Sequence, residues 1–297
     1  MNQNKKTWLL YAVVATIFWG VWGAFTSLPV ENGFPDTLIY CVWALTMIPP
    51  SLYVLKRIGW KLQTDKKSII NGLIIGFLGA GGQMLLFYAV TIGPTYLIFP
   101  IISLSPVVTI LLSFLLLKER TRVLGYIGIA LAILALPLFD YSGGDETAPS
   151  SVGSLWFVLA LVILLAWGVQ AFFMKLANQY TNAESIFFYM MVTGIVLTPI
   201  ALYLTDFDQK INFGLNGPYL AAGIQILNAI GALCMVYAYR YGKAMVVSPL
   251  INAGAPLMTS IISMTLLGIV PGPYKLLAIF LAITAAFLLA LEPEDKN

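Results

Sequence analysis

The stretch Ile69–Leu117, IINGLIIGFLGAGGQMLLFYAVTIGPTYLIFPIISLSPVVTILLSFLLL, contains no charged side chain. At about 1.5 Å per residue it is too long for one helical crossing of a hydrocarbon layer about 30 Å thick. Gly93-Pro94 in its middle is a turn signal, since glycine frees the backbone and proline cannot continue a helix. The stretch therefore reads as two spans, 69–91 and 95–117.

The rest of the chain has the same character. Of 297 residues, 60% are hydrophobic and 10% charged, and the mean hydropathy is +0.89. A soluble domain carries about 25% charged residues. That deficit leaves too little polar surface for water, so lipid is the solvent. The net charge of +3 is too small to indicate a nucleic-acid partner. There is no histidine, which removes the commonest metal ligand and general base. Cys41 and Cys234 lie in separate apolar runs and read as small buried hydrophobes.

Polar or Gly/Pro punctuation divides the chain into ten spans: 8–28, 36–55, 69–91, 95–117, 123–140, 155–175, 184–204, 217–239, 244–268 and 274–291. Trp8–Leu28 covers about 31 Å as a helix and reads as a retained first span rather than a cleaved signal. Basic residues set the orientation. With the N-terminus inside, Lys5, Lys6, Lys56, Arg57, Lys61, Lys66, Lys67, Lys118, Arg120, Arg122, Lys175, Arg240, Lys243 and Lys296 all face the cytoplasm. Only Lys210 and Lys275 remain outside. Both termini are thus expected to be cytoplasmic, in the multi-pass topology of a bacterial inner-membrane protein. No span centre carries an ionised group, so no buried carboxylate proton relay is expected.

The two halves of the chain resemble each other. Phe18-Trp-Gly-Val-Trp-Gly-Ala-Phe25 aligns with Ala166-Trp-Gly-Val-Gln-Ala-Phe-Phe173. Phe87-Tyr-Ala-Val-Thr-Ile-Gly93 aligns with Val236-Tyr-Ala-Tyr-Arg-Tyr-Gly242, and Pro100 with Pro249. Five spans per half is an odd number, so the halves must be inverted relative to one another. The expected fold is an all-α membrane protein of ten transmembrane helices in two inverted five-helix repeats, 1–140 and 154–292. An outer linker, 141–153, joins them, and 293–297 is a cytoplasmic tail.

These residues resemble the EamA domain of the drug/metabolite transporter superfamily. The carriers of the likeness are Trp-Gly in the first helix of each half, Tyr-Ala-x-x-x-Gly before a proline-bearing helix, and Lys118-Glu119-Arg120 after the fourth span. The second half departs at that last point, with Gly268-Ile-Val-Pro271 in place of the charged close. The resemblance implies transport of small organic solutes: amino-acid-like metabolites, sugars, nucleotide-related compounds or drugs.

A carrier needs a polar-lined cavity near mid-depth. The candidate substrate-binding residues are Trp19, Trp22, Gln83, Ser103, Trp167, Gln170, Gln225, Asn228 and Asn252. Each amide must face protein, water or substrate, because an unpartnered amide in hydrocarbon is costly. Taken singly, each also suits plain interhelical bonding. Pro100, Pro106, Pro249 and Pro256 interrupt the fourth and ninth spans at matching places and are candidate gate hinges. Gly72 and Gly76 form a G-x-x-x-G suited to close helix packing.

No phosphate-binding loop, metal-ligand cluster or convergent acid–base set is present, so no ATP drive, metal site, cofactor or enzymatic activity is expected. The leading function is a secondary carrier or facilitator of a small neutral or zwitterionic metabolite. Sugar uptake on the same fold is the alternative, with a solute channel or membrane-embedded enzyme behind it. The expected partners are the small-molecule substrate and the lipid bilayer, with a second copy of the chain as a candidate homodimer.

Overall fold

The computed structural model describes residues 7–117, 123–140, 155–241, 247, 249–268 and 270–290, and all regular structure among them is helical. The charged close at Lys118–Arg120, the 141–153 linker and the 293–297 tail lie outside the described residues.

Prolines and polar caps divide the helices. Helix α1 (Thr7–Phe25) runs into a single turn, α2 (Leu28–Glu31), opened by Pro29. The next crossing is jogged at Met47 between α3 (Asp36–Thr46) and α4 (Ile48–Arg57), because Pro49 and Pro50 suit the first turn of a new helix better than the interior of an old one. Helix α5 (Lys66–Ile92) is capped by Asp65, whose carboxylate accepts from Ser68 N at 3.0 Å. That bonding to Ser68 holds the Asp65 carboxyl below its ordinary range. Gly93-Pro94 ends α5 as expected, and α6 (Thr95–Ile102) follows. Ser103 and Leu104 then interrupt the crossing before α7 (Ser105–Leu117), with Pro106 in the first turn of the new helix.

After α8 (Val123–Asp140) come α9 (Leu155–Ala177) and α10 (Ala183–Tyr203), the latter capped by Asn182 through Ser185 N at 2.7 Å. A π-helical turn, Leu215–Tyr219, leads into α11 (Leu220–Tyr241). A second one, Pro249–Ala253, leads into α12 (Gly254–Leu267), and α13 (Pro273–Ala290) is last. Among the described residues, eight helical segments are long and apolar enough to cross a membrane. Helices α8 and α13, of 18 residues each, pack mainly on one another.

The helices associate across the halves of the chain. Helix α1 packs on α11 and α12, and α3 also packs on α11. Correspondingly, α9 packs on α5 and α7, and α10 on α5. Two bundles result, one built on α1, α3–α4, α11 and α12, the other on α9, α10, α5 and α6–α7. Each contains helices from both halves, and α3 meets α10 and α6 meets α12 where the bundles touch.

Paired hydrogen bonds fasten each bundle. Thr109 Oγ1 in α7 donates to Gly168 O in α9 at 2.8 Å. Thr259 Oγ1 in α12 donates to Gly20 O in α1 at 3.0 Å. These contacts require glycine at close range. A Cβ on Gly168 would lie 2.6 Å from Ser105 O and against Val108. Gly168→Ala is therefore expected to push α7 off α9 and cost about 1–3 kcal/mol. The same change at Gly223, where a Cβ meets nothing within 4 Å, should hold or raise stability, because alanine is the better helix former by about 1 kcal/mol. Melting of both variants in detergent checks this; equal shifts would refute the packing argument.

Candidate functional site

Where the two bundles meet they leave a central cavity. Its wall is aromatic (Trp19, Trp22, Trp43, Phe99 and Trp167), thioether (Met47, Met190 and Met235) and amide (Gln83, Gln170, Asn228 and Asn252). Among the described residues, no charged side chain lines it.

The rings are fixed before any solute arrives. Trp19 Nε1 donates to Asn228 O at 3.0 Å, Trp22 Nε1 to Gln225 Oε1 at 2.7 Å, and Trp43 Nε1 to Asn228 Oδ1 at 2.6 Å. Their N–H groups are spent on protein, so these rings offer their π faces and edges to the cavity. Trp22 also meets Phe87 and Phe99 edge-on, with ring centroids 6.5 and 6.2 Å away. Trp19 packs against Gly231 of α11, and Trp167 packs against Gly82 of α5. The two contacts occupy matching places in the two bundles.

The opposite wall differs. Gln170 Nε2 donates to Ile75 O at 3.1 Å, bracing α9 on α5. Gln83 is 3% exposed, and its Nε2 has no hydrogen-bond partner. Among the described residues, the Trp167 indole N–H also donates to nothing. A buried amide left without a partner costs about 1–3 kcal/mol. The α5–α9 wall thus holds donors in reserve, while the α1–α11 wall has spent its own.

Seven of the nine residues singled out in the sequence line this one cavity: Trp19, Trp22, Gln83, Trp167, Gln170, Asn228 and Asn252. Gln225 lies behind the wall, fully buried, accepting from Trp22 and donating to Thr26 Oγ1 at 3.4 Å. Ser103 is buried away from the cavity and donates to Pro100 O at 2.6 Å. Of the candidate hinges, Pro256 lines the cavity, Pro100 and Pro106 are buried in the α6–α7 crossing, and Pro249 opens a π-helical turn. The sequence reading missed Trp43, Phe99 and the three methionines. Trp43 carried a readable signal, a tryptophan deep in a span and away from any interfacial belt. Methionines in an apolar run carry none.

A multi-spanning helical membrane protein with one uncharged, amide- and indole-lined central cavity has the architecture of a solute-handling membrane protein. The model of the EamA-like transporter family matches residues 6–139 and again 154–291, and the chain belongs to that family, within the drug/metabolite transporter superfamily. Protein LicB of Haemophilus influenzae is 22% identical over 249 residues, 80% of this chain and 82% of that protein. An uncharacterized protein of Methanocaldococcus jannaschii is 28% identical over 136 residues, 46% of this chain and 98% of its own length. A solved structure, described only as the crystal structure of a protein, shares the fold with a TM-score of 0.68 at 15% identity, covering 95% of this chain and 98% of that one.

Two substitutions test the division between reserved and spent groups. Gln83→Met keeps the volume and removes the unpaired amide, so it should raise the melting temperature by a few degrees, equivalent to about 1 kcal/mol. Asn228→Ala strands the Trp43 N–H and should lower stability by about 1–3 kcal/mol. A loss of stability in Gln83→Met would show that this amide is structural.

Proposed function

We infer that the protein is a secondary carrier or facilitator moving a small neutral or zwitterionic organic solute across the cytoplasmic membrane by alternating access. The observation that carries this reading is the buried, unpartnered Gln83 amide facing an uncharged aromatic cavity. A wall meant only to pack would have no use for an unsatisfied donor. A solute bearing an acceptor satisfies it, and the tryptophan faces and methionines cover the solute's apolar or ring-shaped body. With no countercharge in the wall, a solute of high net charge would lose its hydration without replacement.

The mechanism needs two bodies and two halves of opposite orientation. Matching contacts support that plan: Thr109 to Gly168 against Thr259 to Gly20, and Trp167 on Gly82 against Trp19 on Gly231. The Methanocaldococcus protein, matched over nearly its full length by less than half of this chain, fits a unit of one repeat. Helices α8 and α13, each about 27 Å long, are of a length to be the ninth and tenth crossings. The distribution of basic residues supports cytoplasmic termini. Sugar uptake is the second reading, favoured by flat tryptophan faces set beside amide groups.

The first test is melting of the purified protein in detergent against amino acids, sugars, nucleosides and aromatic cations. A ligand at about 100 times its dissociation constant adds about 2.7 kcal/mol. The expected rise is confined to one chemical class and disappears in Gln170→Ala and in Gln83→Met. Flux of that solute into proteoliposomes should saturate and show counter-exchange. Linear, non-exchangeable flux would make the protein a channel, and conversion of the solute would make it an enzyme.

A further inference from the structure

One carboxylate stands apart from the cavity. Glu184, at the start of α10, is 6% exposed. Arg240 Nη1, near the end of α11, donates to its two oxygens at 2.9 and 2.8 Å, and Tyr237 Oη donates to Oε1 at 3.1 Å. Tyr11 of α1 stacks on Tyr237 with centroids 5.2 Å apart and on Tyr241 at 6.1 Å. Helix α10 belongs to one bundle and α1 and α11 to the other. The ion pair therefore ties the bundles together at one end of the molecule.

The other polar contacts at the two ends work differently. Gln63, just before α5, donates its N–H to Ser185 Oγ at 3.0 Å and its Nε2 to Tyr180 O at 3.3 Å, and Tyr189 Oη donates to its carbonyl at 2.6 Å. At the far end, Asn212 donates its N–H to Gly33 O and its Nδ2 to Asn32 O, both at 2.9 Å. Each set stays within one bundle, Gln63 with α5, α9 and α10, Asn212 with the turn between α1 and α3. They make each bundle rigid and leave the space between bundles to other groups.

The repeat shows what stands at the opposite end in place of the ion pair. The offset that pairs Trp22 with Gln170 pairs Asp36 with Glu184. The alignment of Phe87–Gly93 with Val236–Gly242 pairs Tyr88 with Tyr237 and Thr91 with Arg240. Thr91 carries no charge, is exposed, and donates to Tyr88 O at 2.7 Å. The bonds between bundles toward that end are neutral ones, Thr37 Oγ1 to Thr205 Oγ1 at 2.8 Å and Ser260 Oγ of α12 to Tyr96 O of α6 at 2.7 Å. The acid is duplicated and the cation is not.

We propose that Glu184 and Arg240 form a one-sided gate lock, which holds the carrier shut toward the cytoplasm and leaves its outer side as the one that opens at rest. Breaking the pair strands the buried Glu184 carboxylate without its cation, although Arg240, 40% exposed, can turn to water; a hydroxyl pair exchanges readily with water on both sides. The lock rests on the two-bundle carrier reading and on the orientation given by the basic loops.

The test uses the full chain in sealed vesicles of both orientations, with Cys41 and Cys234 replaced by alanine and one cysteine introduced by Ala232→Cys in the cavity wall. The probe is a membrane-impermeant maleimide. The parent should label from outside at least about tenfold faster than from the cytoplasm. Glu184→Gln, and Arg240→Gln at the more exposed partner, should each raise cytoplasmic labelling by about tenfold or more. The exchanged pair, Glu184→Arg with Arg240→Glu, should return the parent's pattern. Folded single variants that still label only from outside would overturn the lock, as would a parent labelled chiefly from the cytoplasm. If the single variants fail to fold, the exchanged pair decides: the parent's pattern upholds the lock, and cytoplasmic labelling overturns it. An absence of labelling from both sides in every variant would overturn the carrier reading itself.

Discussion

Residue 100 is proline, so the carbonyl of Tyr96 loses the helical N–H that would have served it, and Ser260 Oγ supplies the missing donor at 2.7 Å. This exchange is the constraint on which the arrangement turns. In hydrocarbon no water can satisfy a freed carbonyl, so every break in a helix must be met by a side chain from another helix. Thr109 and Thr259 give the same kind of service to Gly168 and Gly20, and Trp19 and Gln170 to Asn228 and Ile75. Those donors come from the opposite half of the chain. The halves interlock because neither can satisfy its own backbone where its helices are broken or bared by glycine.

Interlocking also explains why the cavity is unequal from wall to wall. Along α1 and α11, the indole N–H groups are absorbed by Asn228 and Gln225, leaving ring surface. Along α5 and α9, Gly79 and Gly82 leave room for the Gln170 amide and the Trp167 indole to lie against the α5 backbone. Gln170 finds Ile75 O; Gln83 finds nothing. The broken symmetry therefore follows from composition: tryptophan stands at position 22 where the other half has glutamine at 170. A duplicated scaffold acquires a polar and an apolar pole through that single kind of difference.

How far the sequence could be read depended on whether a feature rests on local chemistry or on distant partners. The turn at Gly93-Pro94 and the helical class are local, and they were legible. So was most of the cavity, because Trp19, Trp22, Trp167, Gln170 and Asn228 are costly residues at depth, and the first four stand at matching places in the two halves. Gln225 and Ser103 looked equivalent to these in sequence, yet one braces a ring from behind and the other closes on Pro100 O. Which face of a helix meets the cavity is fixed by tertiary packing, and an isolated polar residue cannot reveal it. The jog at Met47, which brings Trp43 and Met47 to the cavity, is legible only where Pro49-Pro50 is taken as the restart of a helix.

Close packing inside each bundle limits the kinds of motion open to the molecule. Trp19 wedged on Gly231 and Trp167 wedged on Gly82 leave no room for those helices to slide without displacing an indole ring. Dense interiors pass between discrete arrangements and do not deform continuously. The contacts left to change are those between the bundles: Tyr40 Oη on Gly194 O at 3.1 Å near the crossing of α3 and α10, Ser260 Oγ on Tyr96 O at 2.7 Å between α12 and α6, and the end contacts above and below. In the proposed carrier a rotation about the crossing of α3 and α10 would scarcely alter the Tyr40 hydrogen bond, whereas it would move the ends of α10 and α11 by far more, so the groups placed at those ends would decide which side opens.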